Sequence, residues 1–346
     1  MTSSLSAPPA APARVLVVKL SSLGDVIHTL PVAVDVQRAL GPVQIDWVVE
    51  RGFAPLVRRC SAVSRVIEVD LRRWRRQWWS AQTRAQWRAF LQDLQHTPYD
   101  AVLDLQGLTK SALVSRLARL SPTGKRYAMA NRTEGSGYEA PTRWVADVTI
   151  GLLPRLHALT RGREVAARAL GYTPLHQIGY GLGQASATAP REVALVHGTS
   201  RADKHWPDTH WVALAQRLQD AGWASVLPHG NDAELARAHA LAQAINQHPG
   251  PAARVLPRLD LAGLVDAFTQ CAGVIGVDSG LSHLAVALDL PHVQIYNFDT
   301  AWRTGPIGCA YQQPVFAHPT PSVQAVWDTW QACWQVPADL AMKAGH

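Results

Sequence analysis

Residues 14–31 of the chain read RVLVVKLSSLGDVIHTLP. The stretch opens with a β-branched apolar run, Arg14–Leu20, which is typical of a buried strand. A polar turn follows, and a helical pattern then extends over Asp25–Leu40 before a second strand pattern at Gln44–Glu50. The segment therefore predicts a strand, a crossover helix and a second, parallel strand.

The same alternation continues and then restarts after a break. Further strand patterns lie at Arg65–Val69 and Tyr99–Leu105, and a second series begins at residues 192–197. Between the two series, residues 177–190 (QIGYGLGQASATAP) are rich in Gly, Ala and Ser and are a predicted linker. We therefore predict an α/β protein with two doubly wound, Rossmann-like domains that face a cleft, with ligands at the carboxyl ends of the strands. The predicted domain ranges are 14–176 and 191–321.

The two ends of the chain lie outside these domains. Residues 1–13 are rich in Pro, Ala and Ser and lack the basic and apolar regions of a signal peptide, so they predict a disordered tail. Residues 322–346 contain an amphipathic helical pattern, and we expect this C-terminal helix to pack back on the first domain. No uninterrupted apolar stretch reaches the roughly 18 residues that a membrane-spanning helix needs.

Composition limits the class of protein and of partner. Hydrophobic residues make up 47% and charged residues 17%, which excludes a wholly disordered chain. The four cysteines are far apart and form no C-x-x-C pair, so we predict neither a zinc site nor a disulfide framework, and a reducing cytoplasm fits best. The net charge of +7 belongs to the N-terminal half, so an anionic partner is expected to bind there.

Three segments that follow predicted strands carry residue types that could bind a phosphate or take part in catalysis. Asp25 lies at a helix N-terminus after the first strand, where it could be a catalytic carboxylate or an ordinary helix-dipole partner. The loop at 197–207 holds hydroxyls and Lys204, which suit a phosphate or a plain polar connection, although it is no P-loop. Residues 278–283 (DSGLSH) place backbone N–H groups at a helix N-terminus, where a diphosphate could bind or where the helix is simply capped.

Residues 71–88 (LRRWRRQWWSAQTRAQWR) form a segment of unusual composition. They hold six arginines and four tryptophans, and no acidic residue occurs between Asp70 and Asp93. Arginine binds phosphates in a bidentate manner, and tryptophan suits a membrane interface or stacks on a sugar or base. An anionic membrane-bound partner and a nucleic acid are both compatible with this segment, but the rest of the chain carries no nucleic-acid module.

Taken in order, six stretches of the chain resemble the lipopolysaccharide heptosyltransferases of glycosyltransferase family 9. The first and last are typical of the whole family, and the other four resemble the members that add the first heptose. The stretches are VVKLSSLGDVIHTLP, DWVVERGF, RRWRRQWWS, YDAVLDLQGLTKSAL, DKHWPDTHW and GVDSGLSHLAVALDLP.

This resemblance implies a GT-B fold with an N-terminal acceptor domain and a C-terminal nucleotide-sugar domain. It implies an inverting, metal-independent and cofactor-free transfer from ADP-L-glycero-β-D-manno-heptose to the Kdo of Kdo2-lipid A. A monomer peripheral on the cytoplasmic surface of the inner membrane, with no nucleic-acid partner, is expected. The alternative is a later heptosyltransferase or another nucleotide-sugar enzyme on the same fold.

The resemblance also assigns roles to individual residues. Asp25 is the expected general base, and Lys204 is expected to stabilise the leaving ADP. The expected donor-binding residues are Ser21, Ser22, Thr199, Ser200, Glu234, Asp278, Ser279, Gly280, Leu281 and His283, of which Glu234 is the ribose-binding acid. The expected acceptor-binding residues are Arg72, Arg73, Arg75, Arg76, Gln106 and Lys110. The turn Tyr296–Trp302 departs from the Gly-Pro-Thr-x-Pro-like turn of many relatives, and we expect Asp299, Thr300 and Trp302 to alter the donor contacts there.

Overall fold

The computed structural model describes residues 13–183 and 191–343. These residues form two parallel β-sheets of six strands each, and helices cover the sheets. The predicted fold, two doubly wound domains in the GT-B arrangement, is confirmed. Most of the predicted N-terminal tail and half of the predicted linker, residues 184–190, lie outside the described residues.

The first domain alternates strands and helices along its whole length. Its strands are β1 (Arg14–Val18), β2 (Gln44–Glu50), β3 (Arg65–Val69), β4 (Tyr99–Asp104), β5 (Leu120–Met129) and β6 (Val148–Ile150). Its helices are α1 (Leu23–Leu40), α2 (Ala54–Val57), α3 (Leu71–Arg76), α4 (Ala81–Gln95), α5 (Thr109–Leu117), α6 (Pro141–Val145) and α7 (Ala158–Leu170). The strand order across the sheet is β3-β2-β1-β4-β5-β6, and all neighbouring strands are parallel.

The second domain repeats this plan. Its strands are β7 (Glu192–Val196), β8 (Ala224–Leu227), β9 (Arg254–Val255), β10 (Gly273–Val277), β11 (His292–Tyr296) and β12 (Gln312–Phe316). Its helices are α8 (Asp208–Asp220), α9 (Asp232–Ile245), α10 (Leu261–Thr269), α11 (Gly280–Ala287), α12 (Ala301–Thr304) and α13 (Val323–Lys343). The strand order is β12-β11-β10-β7-β8-β9, again with parallel neighbours.

Both sheets reverse the direction of strand addition at their centre. In the first sheet the reversal lies between β1 and β4, and in the second between β7 and β10. The loops that leave two adjacent strands at such a point run to opposite faces of the sheet and open a crevice between them. The two crevices therefore receive the loops that contain Asp25, Gln106, Thr199 and Asp278.

Helix α1 lies between the two domains. Its residues from Val26 to Val36 are all buried, because α1 packs on α7 of its own domain and on α11 of the second. Helices α1 and α11 approach closely at Gly280, where an added Cβ atom would lie 2.7 Å from Leu23 Cδ2. A side chain larger than hydrogen at this position would force the two helices apart.

The prediction that the C-terminal helix packs back on the first domain is wrong for the part of α13 whose side chains are described. Val326, Trp330 and Cys333 recur at helical spacing and are buried in the core of the second domain. Gly273 at the start of β10 leaves room for the Trp330 ring, because an added Cβ atom there would lie 2.6 Å from that ring. Helix α13 therefore covers one face of the second sheet.

Candidate active site

Asp25 stands at the start of α1, directly beyond the carboxyl end of β1. Its Oδ2 atom accepts hydrogen bonds from the backbone N–H of Ser22 at 3.2 Å and from the Ser22 hydroxyl at 3.0 Å. Its Oδ1 atom lies 3.5 Å from Lys19 Nζ and 3.6 Å from an Arg161 guanidinium nitrogen. Burial alone would raise the pKa of Asp25, but the charges of Lys19 and Arg161 and the Ser22 hydrogen bonds outweigh it and lower the pKa. The carboxylate is therefore anionic and fixed in position at neutral pH.

The loop that precedes Asp25 is fixed by two side chains that follow the neighbouring strand β4. Gln106, which follows β4, accepts hydrogen bonds at 3.1 Å from the backbone N–H groups of Leu20 and Ser21. Lys110 donates a hydrogen bond of 2.7 Å to the Ser21 hydroxyl. The Gln106 side chain therefore fixes the backbone of the loop, and the charge of Lys110 lies close to the same loop.

Lys204 and Asp278 form an ion pair at the centre of the second sheet. The Lys204 Nζ atom lies 2.6 Å from Asp278 Oδ2, and the Thr199 hydroxyl donates to the Asp278 carbonyl at 3.2 Å. Asn297, in the turn that follows β11, donates hydrogen bonds of 3.0 Å to the carbonyls of Asp203 and His205 and so fixes the segment that carries Lys204. The predicted loops after β7 and β10 are thus joined by direct contacts.

The N-terminus of α11 and the loop of Asp25 line one cavity of about 210 Å³ between the domains. Ser279 is the N-cap residue of α11, and Gly280 begins the helix, so free backbone N–H groups point toward this cavity. Both catalytic candidates line it, Asp25 from the first domain and Lys204 from the second. The other predicted donor residues on its wall are Ser22, Ser200, Asp278, Ser279, Gly280 and His283.

His283 and Glu234 occupy different positions at this edge of the second sheet. His283 Nε2 lies 3.7 Å from Asp278 Oδ1, and burial is the main cause that lowers the pKa of His283 to about 4. The Glu234 carboxylate accepts a hydrogen bond of 2.7 Å from the Gly230 N–H, and an added Cβ atom on Gly198 would lie 2.9 Å from it. The Glu234 carboxylate thus occupies space that two glycines, which have no side chains, leave beside it.

A second, larger cavity of about 830 Å³ opens on the first domain and is here called the groove. Ser22 lines both cavities, so the groove begins where the interdomain cavity ends. The predicted Arg/Trp segment forms one side of it and folds as two helices, α3 and the start of α4. Its lining includes Ser21, Arg72, Arg75, Trp74, Trp78, Trp87 and Lys110.

Not all the predicted acceptor residues line the groove. Arg73 donates to Asp70 at 2.6 Å and to Gln86 at 2.7 Å, contacts that join α3 to α4. Arg76 is exposed and does not line the groove, and Gln106 contacts the loop of Asp25 instead. Of the predicted acceptor residues, the structure brings together Arg72, Arg75 and Lys110.

Three residues that the sequence did not single out also belong to this site. Lys19 and Arg161 contact Asp25, and Arg303 lines the interdomain cavity from the second domain while donating to the Gly135 carbonyl at 3.4 Å. Arg161 lies far from the motifs along the chain, so no local pattern could have identified it, whereas Arg303 directly follows the turn Tyr296–Trp302 and was not singled out there. Lys19 falls within the quoted strand VVKL, where a lysine in an apolar run is itself an unusual signal.

Two kinds of feature are absent from the residues that the structure describes. Within residues 13–183 and 191–343 there is no group of three His, Cys, Asp or Glu side chains that could hold a metal ion. In the same ranges, no helix combines the length and apolar character needed to cross a membrane.

Comparison with known proteins identifies relatives that cover most of this chain. The model of glycosyltransferase family 9 (heptosyltransferase) matches residues 87–324. Lipopolysaccharide heptosyltransferase 1 of Pseudomonas aeruginosa is 41% identical over 307 residues, which are 85% of this chain and 81% of that protein. The structure of E. coli heptosyltransferase WaaC with ADP superposes with a TM-score of 0.82 at 35% identity and covers 92% of this chain and 99% of WaaC. WaaC with ADP-2-deoxy-2-fluoro heptose gives a TM-score of 0.74, also at 35% identity, covering 94% and 99%.

Proposed function

Because this chain belongs to glycosyltransferase family 9, the heptosyltransferases, we propose that it transfers heptose from ADP-heptose to the Kdo of Kdo2-lipid A in lipopolysaccharide inner-core synthesis. The observation that carries this proposal is the pairing of Asp25 and Lys204 on opposite walls of one interdomain cavity. In this arrangement, the carboxylate can accept the proton of the attacking hydroxyl, and the cation can stabilise the group that leaves the sugar carbon in a single displacement.

The proposed reaction replaces one bond to the anomeric carbon by another and transfers one proton. The acceptor hydroxyl oxygen attacks the anomeric carbon of the donor, and its proton passes to Asp25. The bond between the anomeric carbon and the diphosphate oxygen breaks at the same time, so the configuration inverts and ADP leaves. Since the lowered pKa makes Asp25 a weak base, the proton moves as the attacking oxygen becomes acidic during bond formation.

The leaving ADP needs positive charge near its diphosphate. Lys204 and the free N–H groups at the start of α11 supply it on the second domain, and Arg161 and Arg303 add two further cations to the cavity. Because the protein itself provides these charges, we propose that the transfer requires neither a metal ion nor a cofactor. Glu234 would bind the ribose hydroxyls of the donor.

The groove on the first domain suits the proposed acceptor. Kdo2-lipid A carries carboxylates, phosphates and acyl chains, and the groove combines Arg72, Arg75 and Lys110 with tryptophan rings. Trp78 is 45% exposed and Trp79 next to it is 87% exposed. Exposed tryptophan beside arginine is typical of a protein surface that meets an anionic bilayer. We therefore propose peripheral binding of a monomer to the cytoplasmic surface of the inner membrane, rather than binding to a nucleic acid.

The activity can be tested with purified components. We expect mass spectrometry to show the addition of one heptose to Kdo2-lipid A from ADP-heptose, with equal yield in the presence of EDTA. An acceptor that already carries its first heptose should not be extended. Extension of that acceptor alone would instead assign the protein to a later step, and loss of activity in EDTA would contradict the metal-free mechanism.

Membrane binding can be tested separately by co-sedimentation with anionic phospholipid vesicles. We expect Trp79→Ala to reduce binding, because its ring is exposed next to the groove. The matched control is Trp144→Ala, which removes a ring that is 72% exposed and does not line the groove. Equal losses in both variants, or no binding by the unmodified protein, would contradict the proposed membrane surface.

A further inference from the structure

Several polar side chains that line the interdomain cavity are incompletely hydrogen-bonded. His28, Ser279, His283 and Arg303 each have at least one buried side-chain nitrogen or oxygen with no partner among the described residues. Buried polar groups without partners cost free energy and are uncommon in folded proteins. Their concentration around a single cavity, on walls from both domains, indicates that a polar ligand completes their hydrogen bonds.

His28 is the most incomplete of these residues. It lies three positions after Asp25 on α1 and is 5% exposed, and neither of its ring nitrogens has a partner among the described residues. Its ring centroid is 4.4 Å from that of His283 on the second domain and 5.5 Å from that of His157. His28 therefore stands beside the catalytic carboxylate and faces the other domain.

The chemistry of His28 favours a hydroxyl group over a phosphate. Burial, followed by the neighbouring histidines, lowers the pKa of His28 well below its ordinary value, so the ring is neutral. A neutral imidazole offers one donor and one acceptor. A phosphate only accepts, and Lys204 and the N-terminus of α11 already serve it, whereas a sugar hydroxyl both donates and accepts.

We propose that His28 is a specificity-determining residue that hydrogen-bonds a hydroxyl group of the transferred sugar. The cavity of about 210 Å³ beside it is far larger than a single water molecule needs. His283 faces the same space from the second domain, so the sugar would be held between the two domains. This inference rests on the proposed function, because it concerns the sugar part of the ADP-sugar donor.

The test compares two ligands that differ only in the sugar. Calorimetry with ADP-heptose and with ADP is carried out on the full-length protein and on His28→Phe, which keeps a ring of similar size but has no polar atoms. We expect the Kd of ADP-heptose to rise about tenfold, because a buried hydrogen bond is lost, while the Kd of ADP stays unchanged. His28→Asn, which retains a donor and an acceptor, should recover part of the loss.

Other outcomes would overturn the proposal. Equal weakening of both ligands in His28→Phe would show that His28 supports only the fold, and unchanged binding of both would show that the sugar does not contact it. His239→Phe, on the exposed surface of α9, is the matched control, and thermal unfolding checks that each variant is folded. If the unmodified protein bound ADP-heptose no better than ADP-glucose and transferred no heptose, the proposed function itself would fail.

Discussion

The interdomain cavity and the groove are adjacent, but they differ in how far their charged side chains are paired. In the cavity, Lys204 is paired with Asp278, and Asp25 is held by Lys19, Arg161 and Ser22. In the groove, Arg72 and Arg75 form no ion pair among the described residues, and both are exposed. The cavity is therefore organised before a ligand arrives, whereas Arg72 and Arg75 in the groove remain free to adjust.

This difference matches the two proposed substrates. A small nucleotide sugar must be oriented to within a fraction of an ångström for displacement to occur, which fixed and paired groups achieve. A large amphipathic acceptor has many anionic groups, and flexible arginines next to tryptophan rings can bind them without one fixed geometry. Substitutions in the cavity should therefore act mainly on kcat, and those in the groove mainly on KM.

The largest effect is expected for Asp25→Asn. The amide keeps the shape of the carboxylate but cannot take up the acceptor proton, so kcat should fall by about 10³-fold. Steady-state kinetics with ADP-heptose and Kdo2-lipid A measure this loss, and calorimetry should show that ADP still binds. Asp220→Asn, on the exposed end of α8, is the control. A loss smaller than tenfold would show that another group accepts the proton.

The next effect concerns Asp104, which is buried at the end of β4 and holds the loop that contains Gln106. It accepts hydrogen bonds from Gln106 N–H, Gly107 N–H and the Ser111 hydroxyl. Burial raises its pKa to about 6 from an ordinary value of 3.8, so between these pH values the folded protein holds more protons than the unfolded chain. Its contribution to the free energy of unfolding therefore decreases as the pH rises through this range.

Asp104→Asn removes this titration. The free energy of unfolding of the variant relative to the unmodified protein should rise by up to about 3 kcal/mol between about pH 4 and pH 6. Urea denaturation at a series of pH values measures the difference. Asp328→Asn, at an exposed position of α13 that forms no ion pair among the described residues, is the matched control, and a constant difference for Asp104→Asn across this range would contradict the raised pKa.

A smaller loss is expected for Lys204→Met, which keeps the length of the side chain but removes its charge. Without Lys204 the departing diphosphate loses a cation and meets the unpaired Asp278, so kcat should fall by about 10²-fold. Single-turnover kinetics and ADP binding measure both effects. Lys125→Met, at an exposed position of β5, is the control. An unchanged kcat would show that Arg161, Arg303 and the N-terminus of α11 stabilise the leaving group without Lys204.

The smallest effects are expected in the groove. Arg72→Gln or Arg75→Gln should raise the KM for Kdo2-lipid A by about tenfold and leave kcat nearly unchanged, since each removes one charge-assisted contact. The difference should shrink as salt is added, because exposed charges are screened. Arg76→Gln, which alters an arginine of the same helix outside the groove lining, is the comparison. An equal increase in KM for all three would show that overall basicity, not the groove, binds the acceptor.

The sequence predicted strands β1 to β4 of the first sheet correctly but missed β5, β6 and β12, which complete one side of each sheet. In the runs RVLVV and GVIGV every residue except Arg14 is buried, and such apolar runs are recognisable from composition alone. Strand β5 reads LSPTGKRYAM, and its proline and glycine coincide with a shift of register between Tyr99 and Ala101 of the neighbouring strand. Strand β12 holds Pro314 at the sheet edge. Prolines in strands are tolerated at edges and irregularities, which local patterns do not reveal.

The packing position of the C-terminal helix could also not be predicted from the sequence. The stripe of Val326, Trp330 and Cys333 showed that α13 has an apolar face. In the structure, the Trp330 ring packs against Gly273, and Arg217 donates a hydrogen bond to Gln324. These two contacts with the second domain form only when the chain has folded.

The sequence by itself determined the two parallel sheets, the loops at their centres, and the candidate roles of Asp25, Lys204 and the basic segment. The sheets and the positions of the loops follow from short-range patterns, since a strand, a polar turn and a helix N-terminus are adjacent along the chain, whereas the roles were implied by the resemblance to glycosyltransferase family 9. Only the tertiary structure decided that Asp25 and Lys204 line one cavity, that Arg72 and Arg75 face the groove while Arg73 does not, and that Arg161, Arg303 and His28 belong to the site. Asp25 lies more than a hundred positions from both Arg161 and Lys204, and these residues come together because α1 packs on α7 and on α11.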